Sequence, residues 1–101
     1  MDKRYNIEYL PIAEEDLSNI IHYIMLDNPE AALLMADKLD RSISTLELFP
    51  NSGTVPKDIR LQTLNYRMLM VESYLVFYVV LDNVVEIRRI LHGKRKYNFL
   101  L

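Results

Sequence analysis

The sequence predicts an α+β domain: an antiparallel sheet with an N-terminal strand, a two-helix hairpin packed on one face, and three C-terminal strands. Three observations predict it. Apolar residues recur every three or four positions through the first half and every two after residues 51–56. Asn28-Pro29 divides the helical stretch in two. Two-residue gaps, Glu72-Ser73 and Asp82-Asn83, separate the last three apolar runs, as in hairpins. The 101 residues are enough for one core, and the whole chain reads as a single domain.

Residues 5–10 alternate around Tyr5, Ile7 and Tyr9 and predict a strand. Pro11 follows, suited to the first turn of a helix, where its missing N–H costs nothing. Ala13, Leu17, Ile20, Ile21 and Ile24 then mark one apolar face over about four turns. Glu14, Glu15 and Asp16 sit where a helix N-terminus favours negative charge. Asn28 is a good cap and Pro29 a good first residue for the next helix. Ala32, Met35, Ala36, Leu39, Ile43 and Leu46 keep the same spacing until Phe49-Pro50 stops it. Helices joined by so short a turn should lie antiparallel.

After the loop at residues 51–56 come three strand patterns, at residues 66–71, 74–81 and 84–91. The middle one is apolar on both parities and is expected at the sheet centre, covered on both faces. Asn83 tolerates positive φ and suits its turn. The last strand alternates Val85, Ile87 and Leu91 against Glu86, Arg88 and His92, and Arg89 breaks the apolar parity. The sheet face opposite the helices is expected to carry the basic groups.

Composition excludes several classes. The chain is 50% hydrophobic and 26% charged, which is globular rather than disordered. Without Cys there is no disulfide framework, iron–sulfur cluster or thiol catalysis, and 2 His are too few for a structural zinc site. No apolar run is long enough to span a bilayer, and the charged start Met1-Asp2-Lys3-Arg4-Tyr5 leads into no signal peptide. No membrane contact is expected, and a cytoplasmic location is. Two Gly cannot form a phosphate cradle, and neither His-Glu-x-x-His nor Gly-x-Ser-x-Gly occurs. The expectation is therefore no cofactor and no metal.

Charge is unevenly spread. Residues 1–56 hold 4 Lys/Arg and 10 Asp/Glu, whereas residues 57–101 hold 8 and 4. A basic C-terminal half suggests an anionic partner, although the halves also offset one another within an overall pI of 5.6. Arg88, Arg89, His92, Lys94, Arg95, Lys96 and Tyr97 fall within ten residues, with Arg67 on an earlier strand. Such groups suit metal-free cleavage of RNA, which needs a base for the 2′-hydroxyl, an acid for the leaving oxygen and cations for the phosphate. The candidate catalytic residues are Arg67 and Arg95 as phosphate clamps, His92 as acid/base, and Tyr97 as a stacking or proton-donating group. Arg89 and Lys94 are candidate substrate-binding residues. Several have a structural reading too: Arg67 covering the sheet with its stem, Arg89 paired to a carboxylate at the sheet end, His92 hydrogen-bonded at a strand end, and Lys94 and Arg95 in a solvated basic turn. His22 receives no role.

The chain resembles the RelE/ParE superfamily, the toxins of type II toxin–antitoxin (plasmid stabilisation) modules, over nearly its whole length. The resemblance is carried by Pro11-Ile12-Ala13-Glu14-Glu15-Asp16-Leu17, Asn28-Pro29-Glu30-Ala31-Ala32 and Leu48-Phe49-Pro50-Asn51-Ser52-Gly53. It continues in Asn65-Tyr66-Arg67-Met68-Leu69, Tyr74-Leu75-Val76-Phe77-Tyr78 and Val85-Glu86-Ile87-Arg88-Arg89-Ile90-Leu91-His92-Gly93-Lys94-Arg95. It implies a growth-inhibiting toxin silenced by a small cognate antitoxin encoded in the same operon. The toxin would form a homodimer or a hetero-tetramer with the antitoxin. RelE-like members act as mRNA interferases, cutting ribosome-bound mRNA without a metal. ParE-like members poison DNA gyrase by binding. Arg67, His92, Arg95 and Tyr97 match the nuclease pattern, and the endonuclease is the leading expectation. Leu75 and Leu69 stand where such nucleases tend to carry Arg and Lys. The gyrase inhibitor is the alternative, and an inactive relative serving its antitoxin as transcriptional co-repressor is the third.

Overall fold

A computed structural model describes residues 4–94. The elements follow in the order β1 (Asn6–Tyr9), α1 (Pro11–Asp27), α2 (Pro29–Ser44), a 3-10 turn (Thr45–Glu47), α3 (Ile59–Thr63), β2 (Arg67–Val71), β3 (Tyr74–Leu81) and β4 (Val84–His92). Pro11 and Pro29 open the two long helices as expected, and the Asn28 side chain accepts from the Ala31 N–H at 3.1 Å to cap α2.

The four strands form one sheet in the order β1-β4-β3-β2. The three C-terminal strands pair antiparallel, but β1 joins β4 parallel, with Asn6 opposite Val84 and Tyr9 opposite Ile87. The sheet is thus mixed rather than wholly antiparallel. Parallel pairing needs a long crossover between its strands, and everything from α1 to β3 supplies one here. No local pattern in β1 reports which way its partner runs.

The helical hairpin covers one sheet face. Ala13, Leu39, Ile43 and Leu46 pack there against Val71, Val76, Tyr78, Val85, Ile87 and Ile90. The central position of β3 is as expected, with Leu75 through Val79 all buried. Its second face is covered as well, as the apolar residues on both parities predict. A smaller apolar cluster of Leu61, Tyr66, Leu75, Phe77, Val79 and Leu91 lies there, and Arg88 is the basic group placed over it. Helix α3, in a stretch for which the sequence pattern predicts no element, supplies Leu61 to that cluster, and Asp58 caps it by accepting from the Arg60 N–H at 2.9 Å.

The parity break at Arg89 has a geometric cause. Pairing between β3 and β4 slips at Phe77/Tyr78, so that Phe77 faces Arg89 while Tyr78 faces Ile87. Arg88 is the extra residue of this bulge, and the alternation of β4 resets beyond it. Both hairpin turns use a residue with positive φ, Glu72 (54°) and Asp82 (52°). The second turn places this conformation on Asp82 rather than on the expected Asn83.

Candidate functional site

Arg67 opens β2 on the helix-covered side of the sheet, opposite Tyr78. Its Nη1 donates to the backbone oxygens of Asn51 (3.2 Å) and Gly53 (3.1 Å). Tyr78 holds the same loop from below. Its hydroxyl donates to the Pro50 oxygen at 2.8 Å and accepts from the Gly53 N–H at 3.0 Å. Burial pushes the Tyr78 phenol above its usual range, against the pull of the Gly53 N–H and the Arg67 charge. Gly53 is required at this point for space: a Cβ there would stand 2.5 Å from Tyr78 Oη and 2.7 Å from the Met68 oxygen. Thr54 then pairs with Met68 on the open edge of β2 through two backbone hydrogen bonds of 2.8 Å.

The other candidates gather at the far end of β4. Arg88 leaves the bulge on the face away from the helices, with Nε 2.7 Å from Glu86 and its guanidinium carbon 5.6 Å from the Tyr66 ring centre. Arg89 takes the carboxylate partner that its parity suggested: Nε and Nη2 donate to Asp16 at 2.7 and 2.9 Å. Asp16 Oδ2 also accepts from the Ile90 N–H at 3.0 Å. One carboxylate therefore satisfies the guanidinium fork and the strand edge that β1 is too short to reach. Its hydrogen bonds hold the Arg89 guanidinium above its ordinary range, against the cost of desolvation.

His92 ends β4 opposite Tyr74, ring edge against ring face, with centres 5.5 Å apart. Its Nδ1 accepts from the Lys94 N–H at 3.2 Å, and Lys94 lies exposed in the turn beyond. Arg95 and Tyr97 lie outside the described residues.

The structure therefore brings Arg89 and His92 to one end of β4 and leaves Arg67 elsewhere. Arg67 is level with Tyr78 and His92 with Tyr74, four residues apart along β3. At the rise of a strand that is about 13 Å. Arg88 projects from the opposite face to Arg67. Asp16 was legible only as an acid in the first turns of a helix, and Tyr78 only as core. Neither pattern reveals a contact made across more than 20 residues of sequence.

Two open clefts flank α1. One, of about 840 Å³, lies between the helices with Leu17, Ile21 and Met25 in its wall and Glu14, His22 and Asp40 at its polar side. Tyr9 lies at its edge, its phenol raised by burial and by the charges of Asp40 and Glu14. The other, of about 510 Å³, lies between α1 and the end of β4 and includes Asn19, Tyr23, Tyr74 and His92. Large apolar side chains stand exposed towards the hairpin end, among them Tyr23, Leu26, Leu33 and Leu34. Among the described residues no three His, Cys, Asp or Glu side chains converge to hold a metal, and no helix is long and apolar enough to cross a membrane.

The family of the ParE toxin of type II toxin–antitoxin systems, parDE, matches residues 7–97. Among solved structures, the chain is similar to one from the chromosomal ParDE toxin–antitoxin system of P. aeruginosa. The two are 23% identical, with a TM-score of 0.73 over 91% of this chain and 99% of that one. It is also similar to a chain of the RelBE2 toxin–antitoxin complex of Mycobacterium tuberculosis, at 18% identity and a TM-score of 0.63, covering 88% and 98%. At these identities the likeness is one of fold. Among curated proteins, none matches the chain.

Proposed function

Because the chain belongs to the family of ParE toxins of type II toxin–antitoxin systems, we propose that it stops growth by binding DNA gyrase in the cytoplasm rather than by cleaving RNA. One observation carries the choice: the described candidate groups do not converge. A phosphodiester-cleaving site needs base, acid and cation within reach of one phosphate. Here Arg67 is latched to a loop, about 13 Å along the sheet from His92. Arg88 and Arg89 are each paired with a carboxylate. Where the nucleases of the superfamily tend to place an Arg on the central strand, Leu75 is buried among apolar neighbours. A surface of this kind recognises a partner without performing chemistry on it.

An antitoxin is the second partner. Tyr23, Leu26, Leu33 and Leu34, all more than 60% exposed, offer apolar anchors of the kind that carry most of an interface's affinity. Cations such as Lys94 would set its salt-dependent on-rate.

Two reactions separate the readings. Added to purified gyrase and plasmid, the protein should inhibit supercoiling and accumulate gyrase–DNA breaks. Added to programmed ribosomes, it should leave mRNA intact. Cleavage of mRNA in the ribosomal A site, with gyrase unaffected, would overturn the proposal in favour of the endonuclease. Operator binding with the antitoxin, and no effect in either reaction, would favour the co-repressor.

A further inference from the structure

We propose that the cleft between α1 and the end of β4 is a binding site for a nucleobase bearing a phosphate. The cleft holds about 510 Å³, within the range of small-ligand sites. Three rings border it: Tyr23, Tyr74 and His92. Ile20 adds apolar surface, so a flat ring laid against this wall sheds water from the face it rests on.

Polar groups in the cleft are free in the way a base edge requires. Among the described residues, the Asn19 amide and the hydroxyls of Tyr23 and Tyr74 have no hydrogen-bond partner. His92 is fixed as a donor. Because its Nδ1 accepts from the Lys94 N–H, its proton sits on Nε2, which has no partner. The cleft thus presents one amide that both donates and accepts, two hydroxyls that do either, and one ring N–H. A tyrosine or tryptophan from a protein partner carries a single polar atom and could pair with only one of these groups. A nucleobase carries both donors and acceptors around its rim.

Charge agrees with the phosphate. Asp16 borders the cleft, but both its oxygens are held by Arg89 and one also by the Ile90 N–H, so its charge is offset. Lys94 stands exposed beside His92. The larger cleft between the helices lacks this arrangement, since Glu14 and Asp40 border it and would repel a phosphate.

The site goes beyond the gyrase reading and does not depend on it. Its test is a titration of the full chain, freed of antitoxin, followed by amide NMR with adenosine 5′-monophosphate. Saturating shifts should cluster at residues 19–23, 74 and 92–94. Ribose 5-phosphate, which lacks the base, should leave them in place. Tyr23→Ala, at a side chain 74% exposed and so harmless to the core, should weaken binding at least about fivefold. A single-stranded oligoadenylate distinguishes the sources: affinity equal per base assigns the site to free nucleotides, and tighter affinity per base assigns it to an unpaired strand. Equal shifts from ribose 5-phosphate, unchanged affinity in Tyr23→Ala, or no saturation by about 10 mM would each overturn the proposal. The gyrase reactions can fail while this titration succeeds, and the reverse.

Discussion

Replacing Tyr78 by Phe removes one oxygen and should cost about 2 kcal/mol. The hydroxyl is fully buried, donates to Pro50 and accepts from Gly53. Its loss strands a carbonyl and an N–H, each worth about 1–3 kcal/mol when buried without a partner. About 1–2 kcal/mol returns because a hydroxyl no longer has to be desolvated. In urea, with a slope of about 1.5 kcal/mol per molar for a domain of this size, the midpoint should fall by about 1.3 M. Hydrogen exchange locates the effect: the Gly53 amide should lose protection while the amides of β3 keep theirs relative to global stability. A midpoint shift below about 0.3 M, or an unchanged Gly53 amide, would refute the claim that this hydroxyl holds the loop. Gly53→Ala attacks the same latch from the other side and should cost about 1–3 kcal/mol by overpacking against Tyr78 and the Met68 oxygen.

Asp16→Ala should lower stability by about 2–4 kcal/mol, because it leaves Arg89 and the Ile90 N–H without their shared acceptor in a setting only 12–15% exposed. A denaturation midpoint within error of the parent would refute that. Raising the pH should weaken the fold through Tyr78 and Tyr9, whose phenols are both raised above 10.0. The unfolded chain releases these protons first, so their contribution is full below pH 10 and is lost as the pH climbs through the folded values. Tyr78→Phe should flatten this alkaline limb in stability curves, and an unaltered limb would count against it. Asp82→Gly should stabilise by up to about 1 kcal/mol, since Asp82 is exposed and held at a φ of 52°, which glycine adopts without strain. A lower melting temperature would show that the side chain contributes something the turn needs.

The readable parts of this fold were those set by local periodicity. The limits of β3 at Tyr74 and Leu81 follow from an apolar run flanked by two turn pairs, and Asn28-Pro29 marks the joint of the hairpin with a cap and a first-turn proline. Helix α3 escaped because five residues give too short a window for a period. The parallel pairing of β1 and the bulge at Arg88 depend on which strand lies alongside, and no residue states that locally. At the candidate site, the pairing of Arg89 with a carboxylate was readable from its parity. The identity of Asp16 was not, because 73 residues separate the two. Arg67 looked like a free cation because the loop that claims it comes from residues 51–53, outside its own strand.

The parallel register of β1 on β4 has a consequence for the order of synthesis. Asn6 leaves the ribosome early, and Val84 must follow before the two can pair. At about 5–20 residues per second, that interval lasts on the order of 4–16 s. Throughout it β1 lacks β4, its one strand neighbour, and the hairpin has no complete sheet to rest on. Its closing contacts are also among the most distant in sequence, which slows the last folding step. A molecule built this way spends its first seconds as a chain whose beginning waits for its end.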